Sequence, residues 1–234
     1  GCSDYGDSFF MSVVRKMRLK KYQFASHFSH QHEKTTACYY SVFLDDPMIK
    51  VELTSTLHGG VHRYTFPQGA SQYVVLDLKH RDEVLDTRME RVGDYTIRGY
   101  RFSKAWAKNQ KIFFELTFSS PIDEILYEQA DAPSQTVRVQ PEKSLQCLIK
   151  FKSSAASSKS ILKNTLLVKC AISGVDMEGA HKNRMAEMPD TQWDFDYYRK
   201  LAEKSWNKEL AKVNFTKSLS AADKLNDAKR KTWE

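Results

Sequence analysis

Ile49-Lys50-Val51-Glu52-Leu53-Thr54-Ser55-Thr56-Leu57-His58-Gly59-Gly60-Val61-His62-Arg63-Tyr64-Thr65-Phe66 is the stretch on which the fold turns. Apolar and polar residues alternate with period two on both sides of His58-Gly59-Gly60, which reads as strand, turn, strand. Working outward, the same period dominates from Tyr39 to Ser173. It predicts strands at 39–44, 49–56, 61–66, 73–78, 94–102, 111–118, 136–139, 144–152 and 165–173. Turn residues separate them, at Asp45-Asp46-Pro47, Pro67-Gln68-Gly69 and Gly93-Asp94. The serine-rich run 153–160 reads as a surface loop. Short strands with no helical pattern between them predict a mainly β protein, a large antiparallel two-sheet β-sandwich, rather than a parallel sheet with crossover helices. Thirteen Phe and eleven Tyr suit a wide core between two sheets.

After Ser173 the period lengthens. Residues 176–188 read as a helix, with Asp176 and Glu178 at its start and Pro189 ending it. Asp194 then caps a second helix with apolar positions at Tyr198, Leu201, Ala202, Trp206, Leu210 and Val213. Ser220-Ala221-Ala222-Asp223 opens a third that runs to Trp233. The predicted division is a β-sandwich domain over 1–173 and a helical linker over 174–234.

The 234 residues are 41% apolar and 28% charged, ordinary for a chain with a packed core. No apolar run reaches the roughly 18 residues of a membrane-crossing helix. The polar start, Gly1-Cys2-Ser3-Asp4-Tyr5-Gly6-Asp7, lacks a secretory signal and an initiator Met, so the chain reads as a fragment or processed product. Much of the net charge of +7 sits after Tyr198, where ten Lys and Arg face five acids. A second basic cluster is Arg15-Lys16-Met17-Arg18-Leu19-Lys20-Lys21. Basic clusters can read phosphate backbones. Here no RNA-recognition or helix-turn-helix signature accompanies them. They read as a solvated helix face and a turn, and nucleic acid is not predicted as a partner. Cys2, Cys38, Cys147 and Cys170 form no CxxC pair and no zinc spacing. Cys147 and Cys170 lie in apolar strand-like runs and read as small core residues; disulfides are neither required nor excluded.

The segment Ser26-His27-Phe28-Ser29-His30-Gln31-His32-Glu33-Lys34 packs three histidines and a carboxylate ahead of the first clear strand. On a strand, His30 and His32 share a face while His27 and Glu33 point elsewhere. Two ligands fall short of a closed metal site, so no metal is assigned.

Many collinear segments resemble the N-terminal domain of glycoside hydrolase family 92, the calcium-dependent exo-acting α-mannosidases. They are Gly1-Cys2-Ser3-Asp4-Tyr5-Gly6-Asp7, Phe28-Ser29-His30-Gln31-His32-Glu33-Lys34, Tyr39-Tyr40-Ser41-Val42, Ile49-Lys50-Val51-Glu52-Leu53-Thr54 and His62-Arg63-Tyr64-Thr65-Phe66-Pro67. Others are Asp77-Leu78, Gly99-Tyr100-Arg101-Phe102-Ser103 with Trp106-Ala107, Glu178-Gly179-Ala180 with Asn183, and Trp193-Asp194-Phe195-Asp196 with Trp206-Asn207. The sequence departs from the family at Ala37-Cys38, Pro47-Met48 and Leu57-His58-Gly59-Gly60, where turn residues differ.

The resemblance implies a two-domain enzyme in which a β-sandwich is joined by helices to an (α/α) toroid. It implies inverting hydrolysis of terminal α-mannosyl linkages in mannose-containing glycans, with the active site between the domains. Both reacting carboxylates come from the toroid, so no catalytic residue is expected in this chain. Ca2+ belongs to the complete enzyme and is not expected to be bound here. A secreted or periplasmic location follows from the same resemblance. The substrate-binding candidates are Cys2, Asp4, Tyr5 and Trp106. Asp4 can accept paired hydroxyls, and Tyr5 and Trp106 can pack against a pyranose ring; the plainer roles are backbone capping and core packing. His30, His32 and Glu33 are expected at the domain junction. Asp77, His80, Arg81 and Asp82 read as an ion-paired loop. Apolar surface intended for the toroid would favour a homodimer. A free-standing carbohydrate-binding module and a ligand-free scaffold are the alternative readings.

Overall fold

The computed structural model describes residues 9–17, 25–127, 145–152 and 164–213. Among them, twelve strands form two antiparallel sheets. The strands are β1 (Phe9–Val13), β2 (Lys34–Thr36), β3 (Tyr39–Leu44), β4 (Ile49–Ser55), β5 (Gly59–Thr65) and β6 (Tyr73–Asp77). They continue as β7 (Glu83–Val92), β8 (Thr96–Lys104), β9 (Gln110–Phe118), β10 (Ile122–Tyr127), β11 (Gln146–Phe151) and β12 (Thr165–Ser173). The large sheet has the order β2-β3-β4-β5-β12-β9-β8-β7 and the small one β1-β6-β11-β10. The protein is therefore a two-sheet antiparallel sandwich, as the period-two pattern predicts.

Alternation assigns the faces. On β12, Leu166 and Val168 point into the core between the sheets, while Leu167, Lys169 and Ala171 point to the outer face. The inter-sheet core takes Ile49, Met89, Ile97, Phe114, Leu116 and Phe118 from the large sheet and Val74, Leu76, Ile122, Cys147 and Ile149 from the small one. Each such side chain contributes about 1.5–3 kcal/mol on burial, so this core outweighs any exposed ion pair. At the start of β5 the strands approach closely. A Cβ on Gly59 would lie 2.1 Å from the Cys170 carbonyl oxygen, and one on Gly60 2.7 Å from that of Thr54.

Two helices cover the outer face of the large sheet. Helix α1 (Met177–Glu187) begins at Asp176, whose carboxylate accepts from the Gly179 N–H at 2.6 Å. Helix α2 (Phe195–Leu210) begins at Asp194, whose carboxylate accepts from the Asp196 N–H at 2.9 Å. The Asp194 cap stands where the sequence placed it; Asp176, read only as an acidic residue at the helix start, is the cap of α1. Tyr39, Val61, Leu167, Ala171, Met188, Phe195 and Tyr198 form the apolar seam between sheet and helices.

The structure differs from the sequence pattern in two respects. All eight interior strands were predicted, one of them (β8) displaced by two residues, but β1, β2, β7 and β10 were not. Those four are the edges of the two sheets. An edge strand bonds on one side only, so its pattern is less constrained; on β7 only Met89 joins the inter-sheet core, and all three residues of β2 are exposed. Second, His30–His32 is a 3-10 turn rather than strand, capped by the Ser29 hydroxyl accepting from the Gln31 N–H at 3.2 Å. The predicted strand at 136–139, the loop at 153–160 and the helix opening at Ser220 lie outside the described residues.

Candidate functional site

The outer face of the large sheet carries a layer of charge beneath the helices. Glu52 is buried and accepts from Arg63 Nε at 2.7 Å, Arg63 Nη2 at 2.8 Å and the Tyr39 hydroxyl at 2.8 Å. Burial alone would raise its pKa, but those hydrogen bonds outweigh it and hold Glu52 at about 2. Arg63 also donates to Asp196 at 2.9 Å, tying β5 to α2. Glu115, fully buried on β9, accepts from Arg98 and Arg184 and meets His181 Nδ1 at 3.0 Å. Burial again raises and the donors lower its pKa, with a net lowering. Lys169 has no exposed surface; its ammonium donates to the Pro189 carbonyl at 2.6 Å and lies 3.8 Å from the Trp193 ring centre. Every charge in this layer is answered inside the molecule. The layer fastens helices to sheet and leaves no buried carboxylate free.

The sequence-derived candidates fall in different places. Cys2, Asp4 and Tyr5 lie outside the described residues; Phe9, which follows them, pairs with Asp77. His30, His32 and Glu33 stand in the turn leading to β2, at one edge of the large sheet. Glu33 accepts from the Tyr40 hydroxyl at 2.7 Å and lies 2.6 Å from His30 Nδ1. The Tyr40 bond first, then His30, lowers its pKa. The His32 ring meets the Phe43 ring edge-on at 6.2 Å. Among the described residues no three His, Cys, Asp or Glu side chains converge as metal ligands.

Trp106 lies in the turn between β8 and β9 and is 83% exposed. It belongs to the other half of the large sheet, where β9 and β8 lie one and two strands beyond β12. With strands about 4.8 Å apart, the five to six spacings from β2 to β9 and β8 put roughly 25 Å between it and the β2 edge. The structure therefore does not bring Trp106 and His30–Glu33 into one site.

What it does build is a rigid corner beside Trp106. Arg101 shares the inward face of β8 with Ile97, yet it is a cation with 1% exposure. Its guanidinium donates to the carbonyls of Leu78 at 2.8 Å, His80 at 3.2 Å and Arg81 at 2.9 Å, and lies 4.0 Å from the Asp82 carboxylate. Arg81 and Asp82 are both left-handed, with φ 57° and 48°. Two such residues in succession cost on the order of 1 kcal/mol each and persist because Arg101 holds the loop from beneath. Asp77 closes the base of the loop, accepting from the Lys79 N–H at 2.8 Å and from Gln146 Nε2 at 2.6 Å. Glu83 pairs in register with Lys104, so the 78–82 loop and the Trp106 turn are neighbours. Arg101 was not a sequence candidate. An arginine in the inward register of an alternating strand was the available signal.

A cavity of about 230 Å³ lies elsewhere, lined by Met11, Val13, Val14, Arg15, Met17 and the 25–26 and 46–47 segments. It brings together none of the sequence candidates.

Comparison with known proteins places these features in a family. Residues 1–173 match the family model described as glycosyl hydrolase family 92 N-terminal domain. No curated protein matches the chain significantly. Among solved structures, the family GH92 alpha-mannosidase BT3965 from Bacteroides thetaiotaomicron superposes with TM-score 0.75 and 28% identity, over 91% of this chain and 30% of its own. The GH92 inverting mannosidase BT2199 of the same organism gives 0.73 at 23% identity, over 89% and 27%. The gh92 family glycosyl hydrolase ccman5 gives 0.82 at 19%, over 97% and 31%; these last two speak to the fold alone. The chain thus spans about 30% of the length of these relatives.

Proposed function

The chain belongs to glycosyl hydrolase family 92, as its N-terminal domain, and from that premise we propose that it is the non-catalytic half of an α-mannosidase. In this reading the whole protein hydrolyses terminal α-mannosyl linkages of glycans, and a second domain supplies the reacting groups. The observation that carries it is the family match over 1–173. The inverting route needs a carboxylic acid and a carboxylate roughly 6.5–9.5 Å apart across an open cleft. The buried carboxylates Glu52, Asp77 and Glu115 are each bound to Arg or Gln side chains of the same chain, which supports assigning both roles to the second domain.

Calcium, implied for a complete family enzyme, meets no converging ligand set among the described residues. We therefore assign none of them to it. Cys2, Asp4 and Tyr5 remain the proposed sugar-facing residues of the sandwich. A secreted or periplasmic location is part of the same proposal; among the described residues no helix is long and apolar enough to cross a membrane.

The second domain is proposed to meet the β2 side of the sandwich. Helix α2 touches β5 through Asp196 and reaches β3 through Arg199, whose guanidinium lies 4.1 Å from the Tyr39 ring centre. Its axis therefore runs toward the β2 edge, where His30, His32 and Glu33 stand. From Glu203 to Leu210 every residue is exposed. Those eight residues carry the helix about 12 Å beyond its last buried contact. Trp206 and Leu210 are 45% and 41% exposed there.

The test is direct. The purified chain, assayed with calcium and an aryl α-mannoside, is expected to show no turnover, while the full-length gene product cleaves the mannoside. Turnover by the chain alone, absent from a mock preparation, overturns the reading.

A further inference from the structure

The corner beside Trp106 has a chemistry that the mannosidase reading does not use. We propose that the 78–82 loop and the 105–109 turn bind an anionic sugar, a glycan bearing phosphate or sulfate esters. In this arrangement Trp106 stacks on a pyranose ring, and Lys79, Arg81 and Lys108 meet the anion.

Lys79, Arg81 and Lys108 are all exposed, and none has a carboxylate of the described residues within ion-pair distance. The acids that could neutralise them are already occupied. Asp77 accepts from the Lys79 N–H and from Gln146. Asp82 is buried against Arg101. Glu83 lies 3.8 Å from Lys104, and Lys111 sits over the Phe102 ring at 5.5 Å. What remains is an excess of positive charge on two neighbouring turns, which concentrates anions at that corner.

Trp106 stands within this field. At 83% exposure its large apolar ring packs on almost nothing. Indole offers a face to the apolar side of a sugar ring and keeps a polar N–H for a hydroxyl. Trp106 sits between Lys104 and Lys108 in the chain, so a ring stacked on it places its substituents among the cations. The loop opposite is pre-organised: Arg101 fixes the carbonyls of Leu78, His80 and Arg81, and the left-handed Arg81 is presented without needing to be ordered on binding. A neutral mannan would use the ring and leave the cations unanswered, so the ester is the discriminating group. An aromatic amid cations also suits single-stranded nucleic acid. Membership in a glycoside hydrolase family favours the glycan, and to that extent the inference rests on the proposed function.

The experiment is a calorimetric titration of the purified chain with phosphorylated mannan, sulfated mannan, neutral mannan and a single-stranded oligonucleotide, at low and high salt. One of the esterified mannans is expected to bind at least about tenfold more tightly than neutral mannan and to weaken with salt. The two esterified arms identify which ester is preferred. The double variant Lys79→Glu/Lys108→Glu and the single variant Trp106→Ala are each expected to weaken it about tenfold. These positions are exposed, so folding should be untouched. The control Lys200→Glu/Lys208→Glu, on α2, makes the same change in net charge and is expected to leave binding intact. Equal affinity for neutral and esterified mannan, equal loss in the control, tighter binding of the oligonucleotide, or no binding at all each overturns the proposal. None of these outcomes bears on mannoside cleavage by the full-length protein, whose failure would instead remove the reading beneath.

Discussion

The ammonium of Lys169, rising from the middle of the large sheet, ends 3.8 Å from the centre of the Trp193 ring on the connection between α1 and α2. It donates to the Pro189 carbonyl at 2.6 Å, and its residue has no exposed surface. A lysine here replaces the apolar contact expected between a sheet and its covering helices. It joins the ion pairs of Glu52 and Glu115, so that the helical segment is fastened by charge as well as by the apolar seam.

Burial pushes Lys169 down to about 8 from its ordinary 10.5; neighbouring Asp190 opposes and Arg184 adds to the lowering. A depressed folded pKa means that the unfolded chain holds more protons between those two values. Stability from this group is therefore lowest below about pH 8 and rises with pH toward 10.5. Lys169→Met removes that slope. Urea denaturation at pH 8 and pH 10 is expected to show the pH-dependent gain shrinking in the variant by on the order of 1–3 kcal/mol.

Glu115 is held by three donors from two elements: Arg98 on β8, and His181 and Arg184 on α1. Arg184→Met leaves a buried carboxylate with its chief helical partner gone, at a cost of about 3 kcal/mol. Adding Glu115→Gln removes the stranded charge. The double variant should therefore lose clearly less than the sum of the two single losses. Additive losses in a double-mutant denaturation cycle would show the pair to be uncoupled.

His62 lies on β5 with its Nδ1 2.8 Å from the Tyr64 hydroxyl and its ring edge-on to Phe10 at 5.4 Å. Burial pushes the imidazole down to about 4 from 6.5. The unfolded chain then takes up a proton that the folded one refuses. The stability this group contributes is full above about pH 6.5 and falls as the pH drops toward 4. His62→Gln is expected to flatten that part of the profile by on the order of 2 kcal/mol, read from thermal or chemical melts at pH 7 and 4.5. Paired carboxylates such as Glu52 dominate only at lower pH.

Trp206 and Leu210, on the overhanging part of α2, and Val213, just past its end, are 45%, 41% and 54% exposed. The isolated chain should cover them by self-association. Light scattering is expected to show a dimer or larger species, and Trp206→Glu with Leu210→Lys to shift it toward monomer. A monomeric parent chain at high concentration would count against this face as a docking surface.

The sandwich, its eight interior strands, the acidic start of α1 and the Asp194 cap of α2 are all legible in the sequence. Interior strands bond on both sides and must bury side chains, so they carry a strong period-two pattern. Asp176 and Asp194 act within three residues of themselves, so the cap is local information. The edges β1, β2, β7 and β10 escaped because one-sided pairing leaves their composition loosely constrained. The family was also legible, through collinear segments that the family match bears out over 1–173. Where the described candidates stand depends on tertiary packing. It put His30–Glu33 at the β2 edge and Trp106 in the other half of the large sheet, on the β8–β9 turn, because strand order is not chain order. It also paired Arg63 with Asp196 and Arg184 with Glu115, 133 and 69 residues apart. No local pattern encodes such separations; a charge bound for burial reads in sequence like any other, until the fold takes away its water.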